Sequence, residues 1–210
     1  MNKVNLLELA LLLPVLLVSM MAHEVAHGYV AFRLGDPTAK SHGRLTLNPL
    51  KHLDPLGTAM FVITYLFGGF IFGWAKPVPV NPYYFRNHKK GMMLVGIAGP
   101  AMNMVVAVLL ALLIGVLHPL SSSTFYDALF LAFQVNIVLG LFNLIPIPPL
   151  DGSRLLGGFL PENLYARWAE LDRYGMLFIF LIFFVVRGPF FTALESAFNV
   201  IAHLLLPAYY

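Results

Sequence analysis

The stretch Val4–Leu34, VNLLELALLLPVLLVSMMAHEVAHGYVAFRL, is apolar for most of its length, yet its second half carries His23, Glu24 and His27. Residues four apart in a helix share a face, so the two imidazoles of His23-Glu24-Val25-Ala26-His27 can reach one metal ion. Neutral imidazole nitrogen suits zinc, and the intervening Glu24 can approach a metal-activated water as general base. A chance match on a surface helix is the plain alternative. The apolar surroundings weigh against it, because ionisable side chains inside a membrane helix are costly and mark function.

Outside this stretch the composition points the same way. The chain has 210 residues, of which 59% are hydrophobic and 11% charged. A soluble domain carries about a quarter charged residues, so these few cannot cover a soluble surface. The sequence reads as one all-α polytopic membrane domain over residues 1–210, with a core at 6–156 and C-terminal helices at 161–206. The net charge of +3 comes from basic residues flanking apolar segments, which sets membrane topology and implies no nucleic-acid partner. The absence of cysteine excludes thiolate metal sites and thiol catalysis. Lys3 and the apolar run after it resemble a signal peptide, but without a small-residue cleavage site the run reads as a retained helix.

Further along, Gly35-Asp36-Pro37 stops the first segment, and a polar stretch follows to Asp54. Leu56–Trp74 is apolar. In Ala75–Pro82 (AKPVPVNP) alternating prolines bar a helix and predict an extended, hairpin-like segment. Gly91–Leu117 and Ala128–Ile145 read as spans, Pro146–Gly158 as a Pro/Gly-rich elbow, and Pro161–Tyr174 as a polar helix. Gly175–Val186 and Phe190–Leu206 are apolar again, the latter with Glu195, Asn199 and His203 on one stripe. The bundle thus holds about five or six membrane segments. The basic loops Arg33–Asp54, Lys76–Lys90 and Arg154–Arg173 are expected in the cytoplasm, and His118–Asp127, without Lys or Arg, outside. Leu56–Trp74 then lies between two cytoplasmic loops. A re-entrant hairpin bending at Gly68-Gly69 resolves the parity better than a true span does. His42, His52 and His88 fall in the cytoplasmic loops and read as solvated or interfacial.

Zinc needs a third protein ligand beside an open position. Asp151, in NLIPIPPLDG (Asn143–Gly152), follows a span at a point where Pro146, Pro148 and Pro149 break the helix. It can equally cap a helix starting at Gly152, and Asp54 competes with it as ligand. His52 with Asp54 can serve as outer support for the metal. The segment AKPVPVNP can offer an edge to an unwound substrate strand, although proline removes many donors.

Taken together, HEVAH on an early membrane helix, GIAGPAMN (Gly96–Asn103) and NLIPIPPLDGSR (Asn143–Arg154) resemble the site-2 protease family of intramembrane zinc metalloproteases. NPLKHLDPLGT and GWAKPVPVNP are similar to a compact prokaryotic branch of it. Unlike larger members, the chain is expected to carry neither a PDZ domain inserted between spans nor a C-terminal regulatory domain, and Ser153 stands where the family usually has a second glycine. The resemblance implies one Zn2+ per chain held by His23, His27 and Asp151. It implies Glu24 as catalytic base, and Asn143 holding substrate or the oxyanion, unless Asn143 only bonds a neighbouring helix. The expected partners are membrane-spanning protein substrates and the bilayer. The expected setting is a prokaryotic inner membrane, with the active site toward its cytoplasmic half. A metal transporter would spread such ligands over several helices, and a non-catalytic helix-binding adaptor would not need Glu24. The sequence leaves oligomeric state and substrate identity open.

Overall fold

The computed structural model describes residues 6–68, 73–117 and 124–207. Described residues form helices and connecting loops, with no strand among them. The first helix, α1, spans Leu6–Arg33. Gly35, at φ 104°, ends it. The Gly35 N–H donates to Phe32 O, and Asp36 N–H to Ala31 O, a left-handed glycine stop that satisfies the last carbonyls. After the short turn α2 (Thr38–Ser41) comes α3 (Pro55–Ile63). Next are α4 (His88–Leu117) and α5 (Thr124–Asn143). Then follow α6 (Asp151–Phe159), α7 (Glu162–Glu170), α8 (Gly175–Phe184) and α9 (Arg187–Leu205).

Among the described residues three helices are long and apolar enough to cross a membrane: Leu9–Arg33, His88–Leu117 and Phe125–Asn143. At about 1.5 Å per residue each matches or exceeds a hydrocarbon core of about 30 Å. Only 28% of each apolar window is buried within the protein, so most of their surface faces outward. Val105, Leu109, Leu112 and Val116 of α4 are exposed, as lipid contact requires.

The bundle is organised by α4, which packs against α1, α5 and α6, while α9 packs on α5. Ala107, Ala111 and Ile114 of α4 meet Phe133 and Ile137 of α5 and Ala202 of α9 in one core cluster. Glu195, Asn199 and His203 face outward from α9. On the other side, small residues let α4 approach its partners. A Cβ on Gly96 would lie 2.9 Å from Asp151 O.

Several boundaries differ from the sequence reading. Helix α5 begins at Thr124 and takes in Asp127 in its first turn, an acidic position that suits a helix start. Part of the expected elbow is helix, because α6 begins at Asp151 itself, with Leu150 as N-cap and no side-chain cap. The bend expected at Gly68-Gly69 falls partly outside the described residues. On either side of it the chain comes back on itself, since a Cβ on Gly57 would lie 2.1 Å from Trp74 O and one on Gly73 2.6 Å from Gly57 O. Residues 73–81 carry no helix, as the prolines dictate.

Candidate metal centre

His23 and His27 lie one turn apart on α1, and α6 brings Asp151 to them. Asp151 Oδ2 is 3.0 Å from His23 Nε2 and 3.1 Å from His27 Nε2, and the two Nε2 atoms are 2.9 Å apart. All three residues are buried. Among the described residues this is the one His/Cys/Asp/Glu group placed to hold a metal ion. The other Asp151 oxygen faces the Arg154 guanidinium, 3.9 Å away on the next turn, which leaves Oδ2 to the centre. Helix α6 starting at Asp151 also removes the capping alternative: the side chain turns to the imidazoles, not to its own helix.

Ring orientation is set from behind. His27 Nδ1 lies 2.6 Å from Val95 O. A carbonyl only accepts, so Nδ1 carries the proton and Nε2 presents a lone pair. His23 Nδ1 lies 2.6 Å from Asn103 Oδ1, and the same polarity follows. Two imidazole lone pairs and a carboxylate oxygen thus converge with no proton of their own to share, an arrangement that needs positive charge in its middle. Tetrahedral zinc with bonds of about 2.0–2.1 Å sets ligand atoms about 3.3 Å apart. The observed separations and the N,N,O donor set fit that ion. Space for it depends on Gly99, where a Cβ would lie 2.4 Å from His27 Nε2 and 2.6 Å from His23 Nε2.

Glu24 stands beside the cluster, half-buried, with its Oε2 accepting the Val78 N–H at 2.8 Å. Val78 lies between Pro77 and Pro79, which have no N–H. The strap 73–81 is pinned on both sides of this contact. Lys76 N–H donates to His52 O at 2.8 Å and Asn81 N–H to Asp36 Oδ2 at 2.7 Å. The Arg44 guanidinium donates to Lys76 O and Pro77 O. The N–H groups of Lys76, Val78 and Asn81 are thus committed inside the protein.

The remaining candidates lie outside the three-residue group. His52 is fully buried rather than solvated, because the Arg44-centred loop closes over it; its Nε2 bonds Thr46 O. Asp54 caps α3 through Gly57 N–H at 2.8 Å. Asn143 Nδ2 donates to Leu139 O of its own helix. The sequence reading passed over Asn103, Asn136, Gly99 and Val78. Of these, Gly99 and Asn103 sat in the noted motif GIAGPAMN and Val78 in AKPVPVNP, with no role attached to any of the three.

Residues 118–186 match Peptidase family M50. Over 177 residues the chain is 42% identical to "Putative zinc metalloprotease YwhC" of Bacillus subtilis (strain 168), covering 81% of this chain and 78% of that one. The chain belongs to peptidase family M50. It is also 32% identical over 171 residues to "Putative zinc metalloprotease Rip2" of Mycolicibacterium smegmatis, across 79% of this chain and 63% of that one. "Zinc metalloprotease MJ0392" of Methanocaldococcus jannaschii shares 29% over 154 residues, 35% of its length. No solved structure gives a significant match. Membership in this family of membrane-embedded proteins makes the chain a zinc metalloprotease, with zinc as its cofactor.

Proposed function

We propose that this M50 member is an endopeptidase that cuts its substrates within or beside their membrane-spanning segments, with Glu24 as general base and His23, His27 and Asp151 holding zinc. The convergence of three buried acceptor atoms beside a half-buried glutamate, on a helix long enough to span, carries this reading. A zinc ion bound there lowers the pKa of water and polarises the scissile carbonyl. Glu24 takes the proton of the attacking water through the oxygen that Val78 does not engage, and passes it to the leaving amine. The Val78 N–H keeps the other Glu24 oxygen from rotating away. Asn143 is the candidate for steadying the substrate carbonyl, having a second amide proton beyond the one given to Leu139. His52 and Asp54 support the centre at a distance, by holding the strap that bears Val78: His52 O accepts from Lys76, and Asp54 caps the helix on which Trp74 rests.

In this proposal Leu56–Trp74 enters the membrane and returns, α8 and α9 complete five or six segments, and the centre opens toward the cytoplasm of a prokaryotic inner membrane. Basic residues on both sides of Leu56–Trp74 and the contact of Gly57 with Trp74 support the return. The substrate is then a spanning helix that unwinds locally, since helical carbonyls are shielded by their own hydrogen bonds. The test is Glu24→Gln in proteoliposomes with a panel of single-span proteins. The amide still accepts from Val78 but cannot take a proton, so about one zinc per chain should remain while cleavage disappears. Appreciable cleavage by this variant, or wild-type cleavage that survives a zinc chelator, would remove the assignment.

A further inference from the structure

Behind the metal centre runs a chain of polar side chains that the proposed chemistry does not use. Asn136 of α5 donates from Nδ2 to Ser19 Oγ of α1 at 2.9 Å and to Ala132 O at 2.8 Å. Its Oδ1 accepts from Asn103 Nδ2 of α4 at 2.9 Å. Asn103 Oδ1 in turn meets His23 Nδ1 at 2.6 Å. Asn103 is 0%, Asn136 1% and Ser19 4% exposed, deep in a bundle with few other polar groups. Two amides in such a place are expensive unless they are paired.

The polarity of this chain follows from one fixed point. Ala132 O is a backbone carbonyl and can only accept, so the Asn136 atom facing it must be the amide nitrogen. Asn136 then turns its oxygen to Asn103, which must present nitrogen there and oxygen to His23. His23 is left with one consistent state, the proton on Nδ1 and the lone pair on Nε2. His27 receives the same instruction directly from Val95 O. We propose that Asn103 and Asn136 are positioning residues: a two-amide relay that carries the polarity of the Ala132 carbonyl to His23, fixing its tautomer and aiming Nε2 at the metal. This rests on His23 being a zinc ligand.

The order of effects follows from the geometry. Asn103→Leu removes the acceptor and should weaken zinc binding about 10–100-fold. Asn136→Leu frees the Asn103 amide to flip and should fall between Asn103→Leu and wild type. Ser19→Ala leaves Asn136 anchored on Ala132 and should change nothing.

The experiment is chelator competition for zinc on the full-length purified variants, with the visible spectrum of the cobalt(II)-substituted protein as second readout. The cobalt bands should change in Asn103→Leu and Asn136→Leu and stay as in wild type in Ser19→Ala. Asn136→Leu, two hydrogen bonds removed from His23, carries the test if Asn103→Leu does not fold. Wild-type affinity and spectrum in Asn136→Leu, or in Asn103→Leu, overturns the relay. His23→Ala separates the two layers: if it binds zinc normally, the ligand assignment has failed; if it loses zinc while Asn136→Leu is normal, the relay alone has failed.

Discussion

Gly99 shows how little room separates a working centre from a filled one. A methyl group there would sit among the ligand nitrogens themselves, so Gly99→Ala should lower zinc affinity by at least about tenfold, as losing an outer partner does. Metal analysis after gel filtration reads this directly. Gly115→Ala on the same helix meets nothing within 4 Å and should keep its zinc. The two carboxylates that compete on sequence grounds should also part company. Asp151→Ala should lose zinc and activity together. Asp54→Ala should keep its zinc and lose only the cap of α3, about 1 kcal/mol of stability. The opposite pattern of metal content would mean that the wrong aspartate has been chosen.

At the level of elements, the strap 73–81 couples the base to the loops around it. Val78→Pro deletes the N–H that holds Glu24 while leaving every metal-facing atom in place. Turnover should fall by about tenfold or more, the scale of one well-placed hydrogen bond, with zinc content unchanged. A variant that loses metal instead would show that the strap supports the ligands, not the base. The sequence made such elements unevenly legible. Apolar runs marked α1 and α4 because burial in lipid writes itself into composition, and the four-residue spacing of His23 and His27 needs only helical geometry. Asn103 and Asn136 obey no spacing rule: they lie on different helices and meet only once these pack. Val78 acts through its backbone, which no side-chain pattern reports. The start of α6 was legible to within one residue in the capping alternative at Asp151, although its run was lost in a Pro/Gly-rich elbow, and His52 read as solvated because its burial comes from a guanidinium eight residues away and a strap beyond it.

At the scale of the whole molecule, the proposed return of Leu56–Trp74 puts the loops on either side of it on one face of the membrane. The chain has no cysteine, so single ones at Ser41 and Asn87, both exposed, give a clean background. A membrane-impermeant thiol reagent should label both from the cytoplasmic face if Leu56–Trp74 returns to the side it entered from. Labelling from opposite faces would make the segment a true span and would require one basic loop outside. Function at this scale depends on the crossing of α1, α4 and α6, since each contributes an atom or a gap to a centre no two of them could form.

The chain order of the proposed ligands has a bearing on the enzyme's birth. Two of them emerge on the first helix, and the third arrives roughly 120 residues later, a delay of about 6–25 s at ordinary synthesis rates. Until Asp151 is made and docked, the nascent protein has a base and two imidazoles but no complete cradle. Under the proposed cleavage within the membrane, this order keeps the protease harmless to its neighbours, and to the translocation machinery, until most of its bundle is in place.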